Sequence, residues 1–238
     1  MPPRFYLPEP ISGDSIQITG DEVKHIVGAH RLGVGDDIVL FDGTGDEFAA
    51  KIEETQKKSV SVSIVERRSI SRELPFELVM AVALPKGDRQ KVLVEKLVEL
   101  GVTRLIPVNA ERSVVKSNEK SVEKLHRRVI EASKQCGRNR LMEILEPTKA
   151  GALFASYQDC ESRYVAHPYD ADLPASHAAQ AQNSQIVICV GPEGGFSDGE
   201  VQLARDAGWK TVALTPSILR VETAAVAAAA LFAMSGNR

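Results

Sequence analysis

Two turns in the last part of the chain contain the residues best suited to hold a small ligand. In the first, the apolar run Ile186–Val190 stops at Gly191-Pro192, two more glycines follow, and an amphipathic segment begins at 197–198. This pattern predicts a buried strand, a glycine-rich turn and a capped helix. A second turn of the same kind lies between Val212 and Ala225. In open α/β sheets such turns follow the carboxyl ends of strands, where ligands bind.

The glycine turn Gly191–Gly195 does not match two common nucleotide-binding motifs. It is not a Walker A loop, because no Gly-Lys-Ser/Thr follows it. It also lacks the GxGxxG fingerprint, and the next strand, Lys210–Leu214, is followed by Thr-Pro instead of ending in an acidic residue. A third interpretation is a loop whose backbone groups grip an adenosine-bearing cofactor. From this pattern alone, a plain structural turn is at least as good an explanation.

Length and composition restrict the class of protein. With 238 residues the chain can form one large domain or a small and a medium one. The N-terminal residues lack the apolar region of a secretory signal, and the apolar stretch Ala224–Met234 is too short to span a bilayer. Three cysteines without CxxC spacing favour a reducing compartment and neither a disulfide framework nor structural zinc. We therefore expect a cytoplasmic protein without a metal site.

The net charge of −3 conceals a basic segment. Between Arg112 and Arg140 there are nine Lys/Arg and only three Asp/Glu residues. Such a local excess is typical of phosphate contacts with nucleic acid, although a solvated helix face would look the same. The residues we expect to contact nucleic acid are, near the N-terminus, Arg4, Lys24, His25 and Arg31 and, in the basic segment, Arg112, Arg138, Asn139 and Arg140.

The first 70 residues alternate short apolar runs with turn signals, which predicts a small β-barrel. We expect strands at 16–18, 37–41, 47–52 and 59–65, and a helical turn at 21–29. Asp42-Gly43 and Gly45-Asp46 are a hairpin signal. The polar stretch Glu66–Pro75 has no periodicity and ends in proline, so it is predicted to be a linker. Residues 1–70 and 74–238 are thus the two expected domains.

From Phe76 onward the pattern changes to alternating strands and helices, which predicts an α/β domain. Strands are expected at 76–84, 104–108, 163–166, 186–190 and 210–214. Helices are expected at 86–100, 119–136, 149–156, 198–207 and 222–234. In the first helix Val92 belongs to the predicted apolar side, and Gly101 is the expected C-cap. The polar stretch Asp170–Ser184 is either a flap or a surface loop.

Taken together, the two turns resemble a known family. Val190-Gly-Pro-Glu-Gly-Gly-Phe196, followed by Leu214-Thr-Pro-Ser-Ile-Leu-Arg-Val-Glu-Thr-Ala224, is similar to the RsmE family of ribosomal RNA uridine N3-methyltransferases, of the SPOUT class. Glu131–Arg140 looks like an interior motif of that family, and Arg4-Phe-Tyr and Leu40-Phe-Asp-Gly43 are similar to its PUA-like barrel. The resemblance covers nearly the whole chain.

The resemblance implies a PUA-like β-barrel followed by a SPOUT α/β domain with a deep trefoil knot. It implies a methyltransferase that uses S-adenosylmethionine to modify N3 of a uridine in small-subunit (16S) ribosomal RNA, and a homodimer formed through the knotted domain. The implied catalytic residues are Arg220, as a cation near the uracil oxygens, and Glu222, or else Glu193, as a base. The implied cofactor-binding residues are His167, Val190, Gly191, Pro192, Glu193, Gly194, Gly195, Leu214, Ile218, Leu219 and Arg220.

One departure and two alternatives accompany the resemblance. The family usually has Leu-Gly-x-Arg before Ile-Leu-Arg, whereas this chain has Thr215 and Ser217 in place of that glycine and arginine. The two substitutions put in question the conformation of the loop that follows Leu214 and the contact that the family's arginine makes with the cofactor or with RNA. Glu222 could also act only as an acidic residue in the first turn of a helix. The alternative functions are a non-catalytic ribosome-assembly factor and a SPOUT enzyme that acts on a different RNA base.

Overall fold

A computed structural model describes residues 2–169, 171–179 and 183–235, with the backbone alone described for residues 119–121. The chain divides into two compact units. The first unit comprises residues 1–73 and 130–141, and the second comprises residues 74–129 and 142–238. Each unit is described separately below.

The first unit is built on a five-stranded sheet in the order β1-β3-β4-β5-β2. Only the contact between β1 and β3 is parallel. A three-residue helix, α1, and a π-helical turn follow β2. The element bounds are β1 Arg4–Tyr6, β2 Ser15–Thr19, α1 Asp21–Val23, π-turn Lys24–Ala29, β3 Asp37–Phe41, β4 Asp46–Thr55 and β5 Ser59–Ser69.

Alternation of side chains explains the core of this sheet. In β5, Val60 and Val62 are fully buried while Ser61 between them and Ser63 after them are less so, as expected where successive residues point to opposite faces. The pairing of β4 with β5 has irregularities at Ala49/Ala50 and between Ile52 and Glu54, and such bulges bend a strand. In the described residues no ladder joins the edge strands β1 and β2, so the predicted barrel is an open, curled half-barrel.

The predicted linker begins too early. Residues 66–69 continue β5, and the ladder with β4 runs as far as the pair Asp46–Ser69. Arg67 lies over the ring of Phe48 at 5.6 Å and pairs with Asp46. The end of this strand is polar on both faces, so hydrophobic alternation cannot reveal it.

The second unit is built on a parallel sheet in the order β11-β13-β10-β12-β6-β7-β8, with β9 paired to β7. Its strands are β6 Glu77–Val82, β7 Arg104–Asn109, β8 Glu143–Ile144, β9 Thr148–Lys149, β10 Ser162–Ala166, β11 Leu173–Pro174, β12 Gln185–Val190 and β13 Lys210–Ala213. Its helices are α2 Arg89–Glu99, α4 Ala150–Ser156, α5 Ala175–Ala178, α6 Asp198–Asp206 and α7 Val221–Ser235, and α3 Glu119–Cys136 begins here and ends in the first unit.

The helices cover the sheet with the side chains that their spacing predicts, with one exception. α7 buries its alanines and Phe232 and packs against α2 and β6. Gly101 ends α2 with a positive φ of 81°, as expected for a C-cap. Val92 in α2 is 47% exposed, so its prediction on the buried side is wrong; the predicted Leu93 and Leu97 are buried, together with Val94 and Val98.

The remaining predictions about this unit are met in part. Within the stretch Asp170–Ser184, residues 170 and 180–182 lie outside the described residues, whereas β11 and α5 give the part between them regular structure. The trefoil knot stays a prediction. Among the described residues, no helix combines the length and the apolar character needed to cross a membrane.

Candidate active site

Three neighbouring strands bring the predicted loops together. β10 lies between β12 and β13, and Ala166 is in register with both Val190 and Val212. All three strands are parallel, so their carboxyl ends meet at one edge of the sheet. Ligands of open α/β sheets bind at such an edge. The loops after β10, β12 and β13 enclose a cleft there.

The cleft has a volume of about 650 Å³, including its open mouth. Its walls are mostly apolar, with backbone groups and a few polar side chains, which is the usual composition of a site for a small organic ligand. It is lined by Ala166, His167, Pro168, Val190, Gly191, Pro192, Glu193, Gly195, Phe196, Val212, Leu214, Thr215, Ser217, Ile218, Leu219, Val221 and Ala224. Nine of the eleven predicted cofactor-binding residues are in this set, and Gly194 and Arg220 are not.

The loop after β12 requires glycine at two places. A Cβ atom on Gly191 would lie 2.9 Å from the ring of Phe196, which is too close for any side chain. Gly195 has a φ of 69° and donates its N–H to the carbonyl oxygen of Pro192, closing a tight turn. Phe196 anchors the loop in the core, with its ring centroid 6.0 Å from that of Phe154.

The helix after this loop begins as its sequence predicts. The Ser197 side chain accepts the N–H of Glu200, and the Glu200 carboxylate accepts the N–H of Ser197, which together form a capping box. The other carboxylate oxygen of Glu200 accepts the N–H of Glu111 at 2.9 Å. These bonds fix the start of α6 and therefore the loop that precedes it.

Gly194 faces a different neighbour from the other glycines of the turn. Its Cα lies beside Arg112, where an added Cβ would meet the Arg112 Cβ at 3.3 Å. Arg112 donates a hydrogen bond from Nη1 to the Gly194 carbonyl oxygen at 3.1 Å. The predicted RNA-contacting residue Arg112 is thus exposed but also holds the outer side of this loop.

The loop after β13 contains the departure from the family pattern. Thr215 donates a hydrogen bond from Oγ1 to the Ser217 carbonyl oxygen at 2.8 Å, so the threonine stabilises a local turn. Leu214 and Leu219 are half-buried, whereas Ile218 is 70% exposed although it lines the cleft. An apolar side chain of this size at the mouth of a cleft gains burial when a ligand enters.

The predicted catalytic residues lie at the start of α7. Arg220 is exposed, and its carbonyl oxygen accepts the N–H of Ala224 in the first turn of the helix. Glu222 is in that turn, where the helix dipole favours an acidic side chain. In the described part of the chain, no carboxylate pairs with the guanidinium of Arg220 in a salt bridge.

Arg89 is a charged residue near the cleft that the sequence reasoning missed. Its guanidinium lies 3.1 Å from Glu193 and 3.7 Å from Glu222. Its position as the first residue of α2 could have identified it, because a cation at a helix N-terminus is disfavoured by the helix dipole and needs an acidic partner.

Three predicted RNA contacts are largely buried in the first unit. Arg138 and Asn139 are each 3% exposed, and the side chain of Arg4 is 7% exposed. Arg138 donates to Glu73, while Asn139 accepts from Arg4 and donates to the carbonyl oxygen of Ile70. These side chains are buried and bonded within the chain, although the Nε of Arg4 has no hydrogen-bond partner among the described residues, so the structure assigns the three residues to the core of the unit and not to its RNA-facing surface.

Glu47 is the acidic partner at the centre of this cluster. It accepts hydrogen bonds from Arg4 at 2.8 Å and from Arg72 at 3.1 Å. Burial acts to raise the pKa of the Glu47 carboxyl, but the hydrogen bonds from Arg4 and Arg72 and their charges outweigh it, so the pKa is lowered. The carboxylate is therefore the form that stabilises the unit.

The other predicted RNA contacts of the first unit are exposed. Lys24 and His25 lie on the π-turn, where they pair with Asp21 and Glu22. Arg31 follows this turn with a φ of 55°, an uncommon conformation for a residue with a side chain. Arg140 is exposed, and its guanidinium lies against Gly45.

Both halves of the chain match family models. Residues 72–233 match the RNA methyltransferase domain, and residues 18–65 match the RNA methyltransferase PUA domain. The chain is 33% identical over 220 residues to ribosomal RNA small subunit methyltransferase E of Bacillus subtilis, covering 88% of this chain and 86% of that protein. The enzyme of the same name from Rickettsia conorii is 30% identical and covers 98% and 96%.

Solved structures agree with these matches. Ribosomal RNA small subunit methyltransferase E of Neisseria gonorrhoeae, bound to S-adenosylmethionine, superposes with a TM-score of 0.88 at 31% identity, covering 97% of this chain and 96% of that one. A putative methyltransferase of Legionella pneumophila, with bound S-adenosylmethionine, has a TM-score of 0.86 at 29% identity and covers 98% and 97%.

The fold and the family models define the class of this protein as an RNA methyltransferase with a PUA-like unit and a parallel α/β unit. Within that class, the chain belongs to the family of ribosomal RNA small subunit methyltransferase E, the RsmE family. The family expected from the two turns is thereby confirmed, as is the order of a PUA-like unit followed by a parallel α/β unit, whereas the knot stays a prediction. Among the described residues there is no cluster of His, Cys, Asp and Glu that could hold a metal ion.

Proposed function

We propose that this protein transfers a methyl group from S-adenosylmethionine to N3 of a uridine in 16S ribosomal RNA. The observation that carries the proposal is the cleft at the carboxyl ends of β10, β12 and β13, in which nine of the residues implied by the family pattern line one cavity. The Neisseria and Legionella relatives bind S-adenosylmethionine, and the curated relatives act on small-subunit ribosomal RNA.

The cleft fits the proposed cofactor. Leu214, Ile218 and Leu219 offer an apolar wall for an adenine ring. The missing side chain of Gly191 allows the loop backbone to pack against the Phe196 ring, and the backbone N–H and C=O groups of this loop can read an adenine edge. When bound, the cofactor supplies an electrophilic methyl group on a positively charged sulfur. Glu193, in the cleft wall, complements that charge.

The chemistry at the uracil requires the loss of a proton. N3 of uracil carries a weakly acidic imide N–H, so negative charge develops on the flanking carbonyl oxygens as the proton leaves. Arg220 is the proposed cation for that charge, because it is exposed and has no salt-bridge partner among the described residues. Glu222, or else Glu193, is the proposed proton acceptor. Positioning of the two substrates supplies the rest of the rate.

Each unit contributes a proposed RNA surface. In the first unit we assign it to the exposed residues Lys24, His25, Arg31 and Arg140. In the second unit we assign it to Arg112 and to the exposed basic face of α3, which carries Lys124, Arg127 and Arg128. Residues 1–70, together with residues 130–141 that belong to the same unit, are the proposed RNA-binding domain, and the rest of residues 74–238 is the proposed methyltransferase domain.

The proposal extends to assembly and location. A homodimer formed through the α/β unit is supported by the exposed apolar residues Val92 on α2 and Met234 on α7, two helices that pack together. The buried alanines of α7 are not free for such a contact, because they already pack within the chain. Ribosome assembly takes place in the cytoplasm, which is therefore the proposed location.

The test uses the purified protein with S-adenosylmethionine and, separately, naked 16S RNA and isolated small subunits from a strain lacking the gene. Mass spectrometry of the digested RNA should show one N3-methyluridine, and the Arg220→Ala variant should form it much more slowly. Methylation of another base would contradict the assigned substrate. RNA binding without cofactor binding would instead indicate a non-catalytic assembly factor.

A further inference from the structure

Arg89 joins two acidic side chains at the cofactor cleft: Glu193 lines the cleft, and Glu222 lies in α7 between the lining residues Val221 and Ala224. Its Nη2 lies 3.1 Å from Oε1 of Glu193, which lines the cleft in the loop after β12. Its Nη1 lies 3.7 Å from Oε2 of Glu222 in the first turn of α7. One guanidinium therefore connects the loop after β12 with the helix that follows the loop after β13.

The position of Arg89 is unfavourable for an arginine that lacks specific partners. It is the first residue of α2, where the positive end of the helix dipole disfavours a cation. The N-cap residue Asp88 is acidic but forms no salt bridge with Arg89 among the described residues, and the first turn itself contains no acidic residue. The carboxylates of Glu193 and Glu222 therefore supply the attraction that holds the guanidinium beside the cleft.

Glu222 depends on the same contact. Its Oε2 atom is buried and accepts no hydrogen bond in the described part of the chain. A buried carboxylate oxygen in that situation needs a nearby cation to offset its lost hydration. Arg89 is that cation, since it forms the only salt bridge recorded for Glu222 among the described residues.

The guanidinium also keeps enough exposure to respond to events in the cleft. Its side chain is 37% exposed, the same fraction as that of Glu193. An ion pair at such exposure contributes little to global stability, because solvent screens it. Its consequence is local: it restricts where Glu193 and the first turn of α7 lie relative to each other.

We propose that Arg89 is a positioning residue of the methyl-transfer site, which holds Glu193 and Glu222 together and so sets the separation of two cofactor-binding loops. The proposal rests on the proposed function. Arg89 acts through the two carboxylates, with no direct contact to RNA, and its loss loosens the cleft before the cofactor enters. The effect therefore appears first in the binding of S-adenosylmethionine.

The experiment measures S-adenosylmethionine affinity by calorimetry for Arg89→Gln, Arg89→Lys, Glu222→Gln, Glu193→Gln and the double variants with Arg89→Gln. Lys91→Gln is the matched control, because Lys91 is a cation on the same helix whose partner, Glu95, lies on that helix and not in the cleft. Thermal melting of each variant reports folding. Kinetics with ribosomal RNA give the KM for RNA and the kcat at saturating cofactor.

We expect Arg89→Gln to weaken cofactor binding about tenfold, a coupling typical of residues in one charge network. Arg89→Lys should retain part of the affinity and Lys91→Gln all of it. Adding Glu222→Gln to Arg89→Gln should change the affinity less than Glu222→Gln does alone. The KM for RNA should stay within about twofold of its wild-type value, whereas the cofactor affinity changes.

Other results would overturn the assignment. Additive effects in the double variants, or an unchanged cofactor affinity in Arg89→Gln, would show that the bridge does not position the loops. A raised KM for RNA with normal cofactor affinity would make Arg89 an RNA contact instead. If Arg89→Gln melts early, the Glu222→Gln and Glu193→Gln variants must still reproduce the affinity loss. Failure of the wild-type protein to bind S-adenosylmethionine would instead refute the proposed function.

Discussion

Truncation of Ile218 tests whether the apolar wall of the cleft contacts the cofactor. In the free protein this side chain is 70% exposed although it lines the cleft. Full burial of an isoleucine side chain is worth about 1.5–3 kcal/mol, so covering the exposed part should contribute about 1–2 kcal/mol. Alanine retains the Cβ atom and therefore part of that gain. Ile218→Ala should then cost about 1 kcal/mol of binding free energy, or roughly fivefold in Kd.

Calorimetry with S-adenosylmethionine measures this change directly. The heat-capacity change on binding should also become less negative, because less apolar surface is buried. Val34→Ala is the matched control, since Val34 is 66% exposed in the first unit and lines no part of the cleft. If Ile218→Ala leaves both Kd and the heat-capacity change at their wild-type values, the adenine does not lie against this wall.

Three further predictions follow from packing and charge. Gly191→Ala would place a Cβ 2.9 Å from the Phe196 ring, so we expect about 1–3 kcal/mol of destabilisation and weaker cofactor binding. Gly199→Ala is the control and should not destabilise the protein, because its Cβ would lie 3.9 Å from the nearest neighbouring atom. Equal melting temperatures of the two variants would contradict the steric argument. Arg138→Ala removes the partner of Glu73 at a site where Arg138 is 3% exposed, and should lower the free energy of unfolding in urea by about 3 kcal/mol. The control Arg67→Ala removes an exposed ion pair and should lower it by less than about 1 kcal/mol. A small loss in both variants would show that Arg138 is not a core residue. Because the pKa of Glu47 is lowered, its ionised form stabilises the fold at pH values above the pKa of the unfolded state, and this contribution is lost as the pH falls through the folded-state pKa. The difference in unfolding free energy between the wild type and Glu47→Gln should therefore shrink on acidification. A difference that stays constant with pH would refute this prediction.

Strong periodicity makes most of the fold predictable from the sequence. The bounds of β3 and α3 match the predicted ranges, and α7 differs from its prediction by one residue at each end. The missed strands are short or polar. β1 has three residues and pairs with β3 in parallel, and β8, β9 and β11 have two each. Such strands exist because a neighbouring strand offers backbone partners, and their own side chains do not signal them.

The cofactor cleft is predictable because its walls are backbone turns. Glycine and proline at fixed spacing predict the turn locally, and the resemblance of the two turns to the family implied nine of the residues that line the cleft. The substitution of Thr215 for the usual glycine could not be interpreted in that way. Its hydroxyl bond to the Ser217 carbonyl oxygen shows that a side chain here contributes to the turn.

Charged side chains are different, because their role depends on partners that are distant in sequence. The arginines in the basic segment look equivalent by charge count, yet Arg138 is buried against Glu73, 65 positions away, whereas Arg140 is exposed. Arg89 shows the opposite error, since it lies outside the basic segment 112–140 and its partners lie more than 100 positions away. The helix dipole disfavours a cation at a helix N-terminus, so an arginine at that position indicates that acidic partners lie nearby. The position of a charge relative to a helix end is therefore a better guide to an ion-pair network than the local number of charges.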